Sequence, residues 1–216
     1  LGLVGSEMCI RDRTNPDDLF DFVYPDKVHV RSYNPPIKPE NHQVSRAVDA
    51  ILASERPVIY AGGGTISSNA SKELRELNDL IDAPVTNTLM GLGVFPGTHK
   101  RFLGMLGMHG TYQANMAMHN ADLIIALGAR FDDRITNAPD KFAPRAKIIH
   151  FDVDHSSVSK IIEADIAVFG QIKDSLQAIN NHLKTKIDEI DNEKLAPWHQ
   201  QISDWKEKHG LNHDLY

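Results

Sequence analysis

The run Leu-Ile-Ile-Ala-Leu at 123–127 constrains the fold of this chain more than any other feature. It is short, apolar, rich in branched residues and closed by Gly128, which suits a strand covered on both faces. Such strands belong to parallel sheets flanked by helices. The run lies within a longer unit, residues 102–136, that reads as loop, helix, strand and charged turn. Gly104, Gly107 and Gly110 precede a stretch with helical spacing, Thr111 to His119. Glycines there let the backbone approach a ligand closely. Free N–H groups at the helix start favour an anion such as a pyrophosphate. Arg130, Asp132, Asp133 and Arg134 then emerge together where an open α/β sheet places its ligands, beyond the carboxyl ends of its strands.

The rest of the chain repeats the pattern. Asn41 to Ser54 carries Val44, Ala47, Val48, Ile51 and Leu52 at helical spacing. Residues 57–61 read as a buried strand running into Gly62-Gly-Gly, followed by a helix near Asn69–Ile81. Strand, glycine turn and helix make half of a mononucleotide-binding unit. The turn reads Gly62-x-Gly64-x-x-Ser67, so its third position departs from Gly-x-Gly-x-x-Gly, and a tight packing corner is the competing reading. Further strands are expected at 84–88, 102–106, 123–127, 148–153 and 166–169. Ile172, Leu176, Ile179 and Leu183 form the apolar face of a last helix. Six strands alternating with helical stretches predict a three-layer, doubly wound, Rossmann-like α/β domain with a six-stranded parallel sheet.

The domain is expected over residues 41–184. Residues 14–40 hold five of the eleven prolines and read as a surface linker. Residues 185–216 read as a linker and the start of a following domain, with Trp198, Ile202 and Trp205 on a short helix. Residues 1–13 resemble a translated sequencing-adapter segment rather than native protein; a genuine variable N-terminus is the alternative.

Composition excludes several classes. The net charge is −6 and no basic stripe stands out, which argues against nucleic acid as a partner. No apolar run approaches the ~20 residues of a membrane span. The one cysteine, Cys9, excludes an intramolecular disulfide, and eleven histidines without His-Glu-x-x-His spacing predict no metal site.

Several stretches resemble one family. Gly-Met-Leu-Gly-Met-His-Gly-Thr-Tyr (104–112), Ala-Asn-Met-Ala-Met-His (114–119) and Gly-Ala-Arg-Phe-Asp-Asp-Arg (128–134) are similar to the central domain of acetohydroxyacid (acetolactate) synthase catalytic large subunits. Thr-Asn-Thr-Leu-Met-Gly-Leu-Gly (86–93), Phe-Pro-Gly (95–97) and Lys-Ile-Ile-His-Phe-Asp-Val-Asp (147–154) match the same family. These are thiamine-diphosphate enzymes that also bind FAD. The resemblance implies that the intact enzyme decarboxylates pyruvate and joins the two-carbon unit to pyruvate or 2-oxobutanoate, for branched-chain amino acid synthesis. It implies a structural, non-redox FAD in this domain, a homo-oligomer with a regulatory small subunit, and a bacterial-type cytoplasmic location, with a eukaryotic organelle left open.

Site roles follow from the same resemblance. Backbone-rich FAD contacts are expected at Gly63, Gly64, Thr88, Leu89, Met90, Gly107, Gly128 and Ala129. Arg130 is expected at the FAD phosphates, with Asp132 in the same cluster, and His109 is an oriented loop histidine at the cofactor. Met108 is expected to face the channel to the thiamine centre. Arg134, held by Asp133, is expected to guide the carboxylate of the second 2-oxoacid and to lie near the flavin. Arginine suits that task because its planar donors match a carboxylate bidentately. Asp152 and Val153 are expected at the adenosine part, with Gly170, Gln171 and Ile172 beside them. From spacing alone, the carboxylates of Asp152 and Asp154 fit either a ribose hydroxyl or a cap for Ser156–Ile161.

The family's activating glutamate and its Gly-Asp-Gly motif for Mg²⁺ and diphosphate belong to neighbouring domains. Thiamine diphosphate and Mg²⁺ are therefore expected outside this chain, which alone is expected to be inactive. The alternatives are another flavin-containing thiamine enzyme (glyoxylate carboligase, pyruvate oxidase), a nicotinamide-dependent dehydrogenase, which would want a full Gly-x-Gly-x-x-Gly turn, and a stand-alone nucleotide-binding module.

Overall fold

A computed structural model describes Tyr24, Asp26, Lys27 and residues 35–136 and 138–210. Residues 1–13, and most of the proline-rich stretch expected as a linker, lie outside the described residues. The chain divides into Leu1–Asn34 and Pro35–Tyr216, and the fold is that of the second unit.

Six strands carry it: β1 Pro57–Ala61, β2 Val85–Asn87, β3 Phe102–Met105, β4 Leu123–Leu127, β5 Lys147–Asp152 and β6 Ile166–Phe169. All described pairings are parallel, in the order β3-β2-β1-β4-β5-β6. The order reverses between β1 and β4, so this is a doubly wound sheet whose switch point lies between those strands. Seven α-helices are described: α1 Asn41–Ala53, α2 Gly63–Ser67, α3 Ser71–Ile81, α4 Tyr112–Asn120, α5 Asp133–Thr136, α6 Ile172–Thr185 and α7 Ala196–His209.

Strand alternation divides the core in two. Ile59 and Ala61 of β1 and Leu123, Ile125 and Leu127 of β4 point to the face covered by α1, α3 and α6. Val58, Tyr60, Ile124 and Ala126 point to the other face, under α4 and α7. Both faces are apolar, which is why these strands read as unbroken hydrophobic runs.

Three details differ from the sequence expectation. Gly63–Ser67 is a separate short helix, and α3 starts only at Ser71 because Asn69 turns the chain at φ +51°. Residues 153–165 cross from β5 to β6 through turns rather than a helix. Within them Asp154 accepts the Ser156 N–H at 2.9 Å and the Ser156 Oγ–H at 2.8 Å, so it stabilises a turn. Finally, α7 packs on this domain: Trp198 and Ile202 are buried in the second core cluster, and the Trp198 Nε1–H donates to the Pro57 carbonyl at 3.2 Å.

Candidate functional site

The site forms where the loops after β1 and β4 meet. The Gly62 N–H donates to the Leu127 carbonyl at 2.9 Å and the Gly64 N–H to the Gly128 carbonyl at 3.1 Å. The Thr65 Oγ–H also donates to Leu127, at 2.8 Å. A Cβ on Gly62 would stand 2.2 Å from the Gly128 oxygen, so only glycine fits. The glycine turn is thus a packing corner: two of its amides are already used, and the interlocked loops hold the sheet's carboxyl edge open as a cleft.

That cleft encloses about 490 Å³, within the ~300–1,000 Å³ of small-molecule sites. Gly63, Gly64, Thr88, Leu89 and Met90 form one wall. Gly128, Ala129, Arg130, Asp132, Arg134 and Asp152 line the rest, with Tyr60, Phe131, Ile135 and Ser157. Leu89 and Met90 are 68% and 73% exposed, an unusual position for large apolar side chains unless a ligand or partner covers them. Arg130 pairs with Asp132 at 3.1 Å, both largely exposed.

The remaining expected site residues lie elsewhere. Gly107, Met108 and His109 stand beside the cleft rather than in its lining, tied to it by the Met108 N–H, which donates to the Arg134 carbonyl at 3.1 Å. The start of α4 is not part of the cleft's lining. Thr111 caps it by accepting the Ala114 N–H, and Tyr112 packs against His209 with ring centroids 4.3 Å apart. Asp133 holds Arg134 chiefly through the backbone, and its ion pair with the guanidinium is long. Its carboxylate accepts the Arg134 backbone N–H at 2.9 Å, as suits the first turn of α5, and the guanidinium lies 3.9 Å off in solvent. Val153 is half-buried and outside the lining. Gly170 is packed against Ile37 and Pro39, the Gln171 N–H donates to the Ile37 carbonyl at 3.0 Å, and Ile172 is a core residue. Segment 37–39 therefore packs on Gly170 and on the Gln171 backbone, while the Gln171 side chain stays exposed.

Of the two carboxylates, Asp152 reaches the cleft. Its Oδ1 accepts the Asp154 N–H at 2.9 Å. Tyr60, at the floor of the cleft, is fully buried; burial, and then the charge of Asp132, push its hydroxyl pKa up.

Residues 44–179 match the family model described as "Thiamine pyrophosphate enzyme, central domain". The chain belongs to that family. It is 47% identical over 204 residues to the acetolactate synthase large subunit of Buchnera aphidicola subsp. Schlechtendalia chinensis, covering 94% of this chain and 36% of that protein. It is 41% identical over 206 residues to the acetolactate synthase isozyme 3 large subunit of Escherichia coli K12, covering 95% and 36%. Against the acetolactate synthase of Mycobacterium avium it is 42% identical over 184 residues, covering 85% and 28%. The chain thus spans about a third of the length of the first of these relatives. No described helix is long and apolar enough to cross a membrane.

Sequence reasoning missed two supports of this central domain's site. Asn115 on α4 pairs with Gly107 in both directions: its Oδ1 accepts the Gly107 N–H at 3.0 Å and its Nδ2 donates to the Gly107 carbonyl at 3.1 Å. The signal was an asparagine inside a helix, where it is a poor former unless its amide is used. The second is Phe131, whose φ of +55° is rare for a bulky residue and has no sequence signal.

Proposed function

We propose that this chain is the flavin-binding central domain of an acetolactate synthase large subunit, with the switch-point cleft as the FAD site. The supporting observation is the cleft itself: Gly63, Gly64, Thr88, Met90, Gly128, Ala129, Arg130, Arg134 and Asp152 line one cavity. The donor set suits a dinucleotide. Arg130 supplies charge for a diphosphate. Asp152 supplies an acceptor for a ribose hydroxyl. Leu89 and Met90 supply exposed apolar surface for a flat ring. A Cβ on Gly63 would press on Met90 Cβ at 3.1 Å, so glycine there keeps the wall thin.

On this reading the flavin is structural and undergoes no net redox change. Thiamine diphosphate and Mg²⁺, bound outside this chain, supply the carboligation chemistry. Arg134, 76% exposed at its side chain and in a long ion pair with Asp133, offers its guanidinium to the carboxylate of pyruvate or 2-oxobutanoate in the active-site channel. Gly107, Met108 and His109 extend the site toward that channel. The assembled enzyme is a homo-oligomer with a regulatory small subunit.

The test is titration of the chain with FAD and, separately, with NAD, followed by flavin fluorescence and by calorimetry. Saturable FAD binding weakened by Arg130→Ala and by Asp152→Asn is expected. NAD binding without FAD binding would sink the reading in favour of a dehydrogenase-like module.

A further inference from the structure

Two buried polar side chains beside the cleft lack hydrogen-bond partners. Tyr60 of β1 and His150 of β5 share one row of the sheet, in register through Ala126 of β4. The Tyr60 Oη makes no hydrogen bond, and neither does either ring nitrogen of His150, which is 1% exposed. Phe131 stands near both, its ring 5.5 Å from that of Tyr60 and 5.2 Å, edge-on, from that of His150. Leaving a buried polar group unpaired is destabilising, and a phenylalanine of similar shape would avoid the penalty. An imidazole kept here needs a reason.

Its neighbour on the same strand face provides one. The Asp152 Oδ2 lies 3.9 Å from His150 Nε2, and the Asp152 side chain is only 13% exposed. The other oxygen, Oδ1, is already held by the Asp154 N–H. At 3.9 Å the pair is not yet a hydrogen bond, but rotation of the carboxylate about its soft terminal torsion closes it. Burial drives the imidazole toward its neutral form, against the pull of Asp152 and of the Ala129 backbone, neither of which closes a hydrogen bond to it. A neutral ring with its proton on Nε2 gives the carboxylate one donor without placing a buried cation behind it.

We propose that His150 is a positioning residue for Asp152: its Nε2–H holds the carboxylate from behind while Oδ2 receives a ribose hydroxyl in the cleft. The proposal rests on the dinucleotide reading above. A histidine used this way gives Oδ2 a hold to match the one that the Asp154 N–H gives Oδ1, and it acts only through Asp152.

FAD dissociation constants of the full chain, measured by fluorescence quenching, test this. His150→Phe, which keeps the shape and removes the donor, is expected to weaken FAD about tenfold, as for loss of one hydrogen bond to a charged group. His150→Gln, whose amide N–H reaches to about the Nε2 position, is expected to stay within about threefold of wild type. In an Asp152→Asn background, His150→Phe is expected to add nothing. If His150→Phe does not fold, His150→Asn, whose amide is too short to reach Asp152, replaces it in the comparison with His150→Gln. Equal binding by the Asn and Gln variants, or a full additional loss in the Asp152→Asn background, overturns the positioning role. Failure of the wild-type chain to bind FAD overturns the dinucleotide reading and this proposal with it, whereas wild-type binding with indifferent His150 variants overturns this proposal alone.

Discussion

Gly64 and Gly128 touch backbone to backbone. A Cβ on Gly128 would stand 2.6 Å from the Gly64 Cα, and one on Gly64 would stand 2.8 Å from the Gly128 Cα. Gly128 also sits at φ +56°, the left-handed region that favours glycine. This contact joins the loops that form the two sides of the cleft, so its disruption is felt in stability and in binding together. Gly64→Ala is expected to cost about 1–3 kcal/mol through overpacking. Gly128→Ala is expected to cost more, because backbone strain adds about 1–2 kcal/mol. Urea unfolding curves measure both. Values within about 0.5 kcal/mol of wild type for both variants would mean that the loops relax apart freely.

Tyr60 invites the opposite kind of substitution. Its ring is fully buried beside Phe131 and its hydroxyl has no partner. Removing an unpaired buried hydroxyl while keeping the ring is expected to leave the ligand-free chain unchanged or to stabilise it by up to about 1 kcal/mol. Thermal and urea midpoints of Tyr60→Phe check this. A loss of more than about 1 kcal/mol would show that the hydroxyl does have a partner, such as a buried water.

How much of this was legible in the sequence depends on the range of each interaction. The strands and their parallel arrangement, though not their order, followed from local pattern: β1 and β4 are unbroken apolar runs closed by glycine, which suits a sheet covered on both faces. The wall from Thr88 to Met90 and the edge from Gly128 to Asp132 were placed because family resemblance marked them and strand ends converge. The packing of segment 37–39 on Gly170 and on the Gln171 backbone was not legible, because that segment lies more than a hundred residues away. The unpaired Tyr60 and His150 arise from register across three strands, which no local window contains. The docking of α7 was hidden for the same reason: the amphipathic spacing of Trp198 and Ile202 announces a buried face without saying what buries it.

His199, on α7, makes stability depend on pH. Its Nε2 lies 3.0 Å from the Asp82 carbonyl oxygen, and Asp82 is held by the Arg101 guanidinium, with Nε to Oδ1 at 2.7 Å. Burial first, and then the charge of Arg101, push the His199 pKa below its ordinary value, although Asp82 pulls the other way. A group with a depressed folded-state pKa contributes stability that is present above its unfolded value, about 6.5 for histidine, and is lost as pH falls through the folded value. His150 is depressed by burial in the same sense. Asp82 is also lowered, its burial outweighed by Arg101, and its contribution is lost at still lower pH. The chain is therefore expected to lose stability as pH falls below about 6.5, and His199→Gln to flatten part of that slope. Urea midpoints across this range give the measurement. A slope identical in wild type and His199→Gln would show that His199 does not titrate differently in the two states.

Trp198 decides whether α7 is part of this domain's stability or an attached appendage. The side chain is 2% exposed, lies in the second core cluster, meets Trp205 edge-on at 5.8 Å and donates to the Pro57 carbonyl at the start of β1. A large aromatic in such a place carries both transfer energy and a cavity term when it is truncated. Trp198→Ala is expected to destabilise the domain by about 3–5 kcal/mol. Trp198→Phe keeps most of the packing but leaves the Pro57 carbonyl without this donor, and is expected to cost a smaller amount, about 1–3 kcal/mol. Both are read from urea unfolding followed by far-ultraviolet circular dichroism, which does not depend on the replaced chromophore. If α7 were only a tether, it would melt separately and Trp198→Ala would leave the main transition within about 0.5 kcal/mol of wild type. A single shifted transition, with the Phe variant between wild type and Ala, is the outcome that the buried indole and its bond to β1 require.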